Sequence, residues 1–218
     1  TTIAWVLGIF CCCGVFAAQG QGTVTVPRDP SPAASVSQTI GISTITVSYS
    51  RPSVRGREIW GKLVPYGWNV DGFGAGNSAP WRAGANENTV LTITHPATIE
   101  GHQVPAGSYG LFFTVNPDNT GEVVLSKDYK SWGSFWYDPK LDEMREKIGL
   151  KEGPETEMLT YDFRDITRNS AELVLSWEKK QFPVKIQFDV DDIVMANAVQ
   201  ELKGPVGFTW QGYASEAN

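Results

Sequence analysis

Ser108–Val115 (SYGLFFTV), Pro117-Asp118-Asn119-Thr120-Gly121 and Glu122–Ser126 (EVVLS) are the consecutive stretches that decide the fold of this chain. The outer two runs alternate aromatic and β-branched residues with the period of two that sends successive side chains to opposite faces of a strand. The five residues between them supply the Pro, Asp, Asn and Gly that tight turns require. Two such runs joined by such a turn predict an antiparallel hairpin.

The same pattern recurs on both sides, in Thr44–Tyr49 (TITVSY), Thr89–Thr94 (TVLTIT), Met158–Ile166 (MLTYDFRDI), Ala171–Trp177 (AELVLSW) and Pro183–Val190 (PVKIQFDV). Turn signals at Glu100-Gly101 and Pro105-Ala106-Gly107 separate some of them. Many short strands without strand–helix alternation predict a mainly β fold, an antiparallel β-sandwich or barrel-like domain with one or two short helices. One helix is expected to open at Asp138-Pro139 and run through Ile148, with Leu141, Met144, Arg145 and Ile148 on one face and Gly149 as its stop. The other is expected over Asp191–Leu202, where Ile193, Val194, Ala198 and Leu202 have helical spacing ahead of Gly204-Pro205.

With 218 residues, 41% hydrophobic and 19% charged, the chain can bury one sizeable core but not two comfortable ones. Its 22 Gly, 13 Pro and 8 Trp fit turns and aromatic packing rather than long helices. A net charge of −6 leaves no basic surface to hold a phosphate backbone, which argues against nucleic-acid binding.

The charge is unevenly placed, because none of the 18 basic and 24 acidic residues precedes Arg28. Within that stretch Ile3–Ala18 is apolar apart from two glycines, the pattern of a signal-peptide core, a membrane anchor or a buried helix. At about 1.5 Å per residue it reaches about 24 Å, short of the about 30 Å hydrocarbon core of a bilayer. The expectation is a retained membrane anchor over residues 1–18, inserting Ile3, Trp5, Val6, Leu7, Ile9, Phe10, Val15 and Phe16. Cleavage after Val15-Phe16-Ala17 and lipid modification at Cys11 are the alternatives. All three cysteines, Cys11, Cys12 and Cys13, lie there, and three in a row match no metal or disulfide spacing. Residues 19–36 then read as a Pro/Gly-rich tether, 37–203 as the β-rich domain and 204–218 as a C-terminal tail.

The densest chemistry lies between Tyr49 and Asn88, where Arg51, Arg55, Arg57 and Arg82 sit among Trp60, Tyr66, Trp68 and Trp81. Guanidinium groups beside aromatic planes can hold a carboxylate, a phosphate or a sugar, and Arg51, Arg57, Trp81, Arg82, Asn86 and Glu87 form that candidate ligand set. Alternatively, an arginine paired with Glu87 and stacked on indole satisfies buried charge with no ligand involved. The glycine-rich loop Trp68–Ala79 lacks a Gly-Lys-Ser/Thr ending, so it is no phosphate loop, and it is expected to present Trp68 and Phe73 to a partner protein or to be a plain surface excursion. His95 and His102 have no third ligand in sight, so neither a metal nor another cofactor is expected. No Gly-x-Ser-x-Gly elbow accompanies them, and no catalytic residue is assigned.

Ser50-Arg51-Pro52-Ser53, Gly56-Arg57, Leu63-Val64-Pro65-Tyr66-Gly67, Trp81-Arg82-x-Gly84-Ala85-Asn86-Glu87, Pro105-Ala106-Gly107-x-Tyr109, Trp132-Gly133 and Leu173-x-x-x-Trp177 together resemble domain-of-unknown-function family 2911. The resemblance covers roughly Ser37–Val190 and implies an exported bacterial β-rich domain with no established activity. The Trp68–Ala79 stretch looks like an insertion relative to that family, and Phe208–Ala214 looks like the start of a helical tail that the family often carries. Anchor, tether and domain together also look similar to the extrinsic S-type accessory subunits of phototrophic bacterial reaction centre–light-harvesting complexes. That likeness implies a non-catalytic accessory subunit on the periplasmic face of a bacterial inner membrane, docked on other subunits of a membrane complex. An exported binding module for a small anionic or carbohydrate ligand is the alternative. A hydrolase pairing Glu87 or an aspartate with a histidine comes last.

Overall fold

The expected hairpin lies inside a six-stranded antiparallel sheet, as β8 (Gly107–Val115) paired with β9 (Thr120–Ser126). The computed structural model describes Pro27 and residues 30–210, and the expected anchor and most of the tether lie outside the described residues. Asp118 accepts from the Thr120 amide and hydroxyl, which fixes the turn and hence the register that opposes Phe113 to Val123.

Around that hairpin the strands are β1 (Ala33–Ile40), β2 (Ser43–Ser50), β5 (Val90–Ile93) and β10 (Asp142–Gly149), in the order β1-β2-β5-β8-β9-β10. A second antiparallel sheet has the order β11-β12-β6-β7, built from β11 (Lys151–Arg164), β12 (Ser170–Gln187), β6 (Ala97–Ile99) and β7 (His102–Val104). The short ribbon of β3 (Asn69–Val70) and β4 (Ser78–Ala79) stands apart. Ile45, Val47, Leu91, Leu111, Phe113, Val123 and Leu125 of the first sheet share one core with Leu159, Leu173, Leu175, Trp177 and Ile186 of the second. Each such side chain contributes about 1.5–3 kcal/mol by leaving water, and this shared burial holds the sheets together. The layout is a sandwich, and neither sheet closes into a barrel.

Three expectations are corrected. The Asp138–Ile148 helix is a single 3-10 turn at Pro139–Leu141, capped by Asp138, and then strand β10. Met144 and Ile148 are four residues apart, a spacing that suits one face of a helix and one face of a strand equally. The free edge of β9 decides between them, since β10 pairs along it from Asp142 to Gly149 and satisfies its backbone groups. The β-rich domain also begins before Ser37, because β1 starts at Ala33 and removes residues 33–36 from the tether. Finally, the two separate runs Ala171–Trp177 and Pro183–Val190 belong largely to one strand, β12. Pro183 is tolerated there because β11 pairs β12 only up to Gln181 and β6 joins it only at Ile186, so no partner needs the missing donor.

The helix α1 (Val190–Glu201) forms where expected, with Asp189 as its N-cap and Asp191 and Asp192 in the first turn. It buries little beyond Ala198, and among the described residues no helix is long and apolar enough to cross a membrane.

Candidate functional site

Between β2 and β5 the chain makes its longest excursion, and the local chemistry explains its path. Pro52 and Val54 hydrogen-bond across to Leu159 and Glu157 of β11, so the Ser50–Arg57 motif bridges the two sheets. Trp81 exchanges both backbone hydrogen bonds with Phe113, at 2.8 and 2.9 Å, and takes up the edge of β8 beyond the end of β5. The next two residues cannot continue the ladder. Ala83 is held at φ 53°, a left-handed conformation that costs a non-glycine residue about 1–3 kcal/mol. Its fully buried carbonyl accepts from Tyr161 Oη at 2.9 Å and Thr89 Oγ1 at 3.1 Å, which holds the strained turn in place and aims Arg82 away from the core.

The excursion encloses a cavity of about 410 Å³, within the range of small-molecule sites. Its wall runs from Arg55 and Arg57 at the exposed surface to Trp177, only 1% exposed, so the cavity reaches from solvent into the core. Trp81 is stacked on Trp177 with centroids 5.7 Å apart and planes 16° from parallel, while Trp60 meets both edge-on. This aromatic block is rigid.

The polar groups of the wall divide into those already engaged and those left over. Arg57 donates to the Val54 and Ser53 carbonyls, and Arg82 donates to the Asn86 carbonyl at 2.8 Å and lies over the Phe135 ring. None of Arg55, Arg57 and Arg82 pairs with a carboxylate among the described residues. Desolvation pulls the Arg82 guanidinium below its ordinary pKa, and the nearby Asp71 charge acts against that shift without forming an ion pair. Among the described residues Asp71 is the one carboxylate of the cavity wall. Gly133 has φ 61°, and a Cβ there would stand 2.2 Å from the Arg82 guanidinium carbon, so a glycine is what lets Arg82 lie against this turn.

The structure therefore brings together four of the six expected ligand residues, Arg57, Trp81, Arg82 and Asn86. Arg51 is elsewhere, donating to the Leu159 carbonyl at 2.9 Å and to Thr160 Oγ1 at 2.6 Å as a fastener between β2 and β11. Glu87 lines a separate groove beside Tyr49 and β1. The sequence reading missed Asp71 and Trp177 as wall residues. Only the Leu173-x-x-x-Trp177 spacing pointed at the latter.

The glycine-rich loop is folded onto the molecule. Trp68 is half-buried, donating to Glu122 Oε2 at 2.6 Å with the Arg145 guanidinium 4.1 Å from its ring centre. Phe73 is 67% exposed and packs edge-on against Phe135 and Trp136. Gly74 presses so closely on the Phe135 carbonyl that any Cβ would overlap it.

Both histidines stand away from the cavity. His95, half-buried in the bend between β5 and β6, has Nδ1 3.1 Å from Ser43 Oγ, and exposed His102 on β7 has Nε2 2.7 Å from Glu146 Oε2.

The model for the family described as protein of unknown function (DUF2911) matches residues 31–186, more than half of the chain. The chain belongs to that family. The matched span begins just ahead of β1 and ends within β12, so it contains both sheets and the whole β2–β5 excursion. Among curated proteins and solved structures, none matches the chain.

Proposed function

We propose that this DUF2911 domain is a binding module whose cavity takes a small anionic ligand. One observation carries the reading: in a chain of net charge −6, Arg55, Arg57 and Arg82 line one cavity with Asp71 as the only carboxylate of its wall among the described residues. A desolvated, unpaired guanidinium is unfavourable for folding alone, and a carboxylate or phosphate is the partner its donor fork fits. Exposed Arg55 and Arg57 steer the anion in, and Arg82 receives it against the Trp81–Trp177 block.

Calorimetric titration of the purified chain with glutarate and with inorganic phosphate tests this. Saturable binding of at least one, lost in the Arg55→Met/Arg82→Met double variant, is the expected result. Binding that survives the double substitution, or no binding of these or of larger carboxylate- and phosphate-bearing anions, would overturn it.

The exposed Phe73–Trp136 surface supports a second reading, in which the domain also docks as an accessory subunit on a membrane complex at the periplasmic face of an inner membrane. In that reading residues 1–18 anchor the chain, and a photosynthetic complex is one host. Native extraction with and without Phe73→Ser/Trp136→Ser is the check, with loss of copurifying membrane subunits expected from the variant. Retention of the same subunits would remove this role for the surface.

A further inference from the structure

The cavity wall offers more than cations, and its unspent atoms define the rest of the ligand. Asn69 gives its amide N–H to the Tyr66 and Gly67 carbonyls, and Asn86 gives its own to the Ser31 carbonyl. Both side-chain carbonyl oxygens are therefore left as acceptors. Asp71 adds a carboxylate with no hydrogen bond or ion pair among the described residues, and Ser134 donates to the Pro80 carbonyl, leaving its oxygen able to accept.

A simple anion satisfies guanidinium groups and nothing else here. Acceptors such as Asp71, Asn69 and Asn86 need O–H or N–H donors from the ligand. An aromatic block of two stacked indoles provides an apolar plane suited to the C–H face of a saturated ring. We infer that the ligand is a polyhydroxylated anion of monosaccharide size, a sugar acid or sugar phosphate. Its charged group meets Arg57 and Arg82. Its hydroxyls donate to Asp71 and the two asparagine side-chain carbonyls.

This rests on the reading of the cavity as an anion site. The experiment separates the two by titrating the purified chain with D-glucuronate, D-glucose 6-phosphate, D-glucose, glutarate, inorganic phosphate and L-glutamate. Either glucuronate or glucose 6-phosphate is expected to bind at least about tenfold more tightly than glucose, glutarate and phosphate, because both the charge and the hydroxyls are needed. The stronger of the two tells carboxylate from phosphate. Asp71→Ala should weaken that ligand by about fivefold or more while leaving phosphate as tight or tighter, since it removes an acceptor and a repelling charge together. Asp71 makes no hydrogen bond to the described residues, so this variant keeps the fold. If glutarate or phosphate matches the sugar anions, the hydroxyl assignment fails and the anion site stands. Tightest binding by L-glutamate would replace it with a zwitterion site, and binding by none of the anions would sink both.

Discussion

Arg82 and Arg145 each lay a guanidinium over an aromatic ring, Phe135 at 4.8 Å and Trp68 at 4.1 Å, yet their surroundings are opposite. Arg145 donates to Asp142 at 2.7 Å and to the Tyr137 hydroxyl at 3.1 Å, and Tyr137 in turn donates to Asp142. Desolvation works against the Arg145 charge, but Asp142 and Tyr137 outweigh it and the pKa moves up. At Arg82 desolvation prevails and the pKa moves down. A closed network of this kind fixes the loop that carries Trp68 to the sheet. The one at Arg82 has no carboxylate partner among the described residues, and the proposed ligand would supply it.

Substitutions should break this contrast in a graded way. Trp177→Ala, beneath the open site, is expected to cost about 3–5 kcal/mol in urea unfolding, because the indole is fully buried and shared by the cavity wall and the core. Arg145→Met should cost about 1–2 kcal/mol, toward the low end for charged hydrogen bonds because its side chain is 38% exposed.

Alkaline titration probes the closed network alone. Burial first, then the hydrogen bond and charge of Asp142, hold the Tyr137 phenol far above its ordinary pKa. The unfolded chain therefore loses this proton first, so the stabilisation is complete below about pH 10 and declines as pH rises toward the native value. Comparing the wild type with Tyr137→Phe, the stability gap should narrow by about 0.8 kcal/mol between pH 9 and pH 10.5, from an unfolded pKa of about 10. A gap that stays constant over that window would show that the network does not hold the proton.

Arg82→Met should have the smallest effect on folding, within about 1 kcal/mol of neutral, since it removes one hydrogen bond but also an unpaired desolvated charge. A loss as large as that of Arg145→Met would erase the contrast and make Arg82 structural.

Strands were legible in the sequence wherever alternation met a turn signal, as at Ser108–Ser126. They were misread where one spacing served two periodicities, as at Met144 and Ile148. The arginine–tryptophan density pointed at the right segment, but Arg51 and Arg57 look alike in sequence. One is spent on Leu159 and Thr160 more than a hundred positions away, and the other faces the cavity. Asp71 looked like one more polar residue in a glycine-rich loop, and no local pattern marks it.

By itself the sequence determined the β class, the hairpin at the centre of the first sheet and the family, because alternation, turn residues and motif spacing are local properties of the chain. Tertiary structure decided which arginines are open, which tryptophan lines the cavity and that Asp138–Ile148 is mostly strand. Most of these depend on a partner supplied from a distant segment: Trp68 beneath Arg145, Leu159 for Arg51, the edge of β9 for β10, and no ion-pair partner among the described residues for Arg82. Whether a charge or a backbone edge is satisfied is a question of distance in space, and spacing along the chain does not contain it.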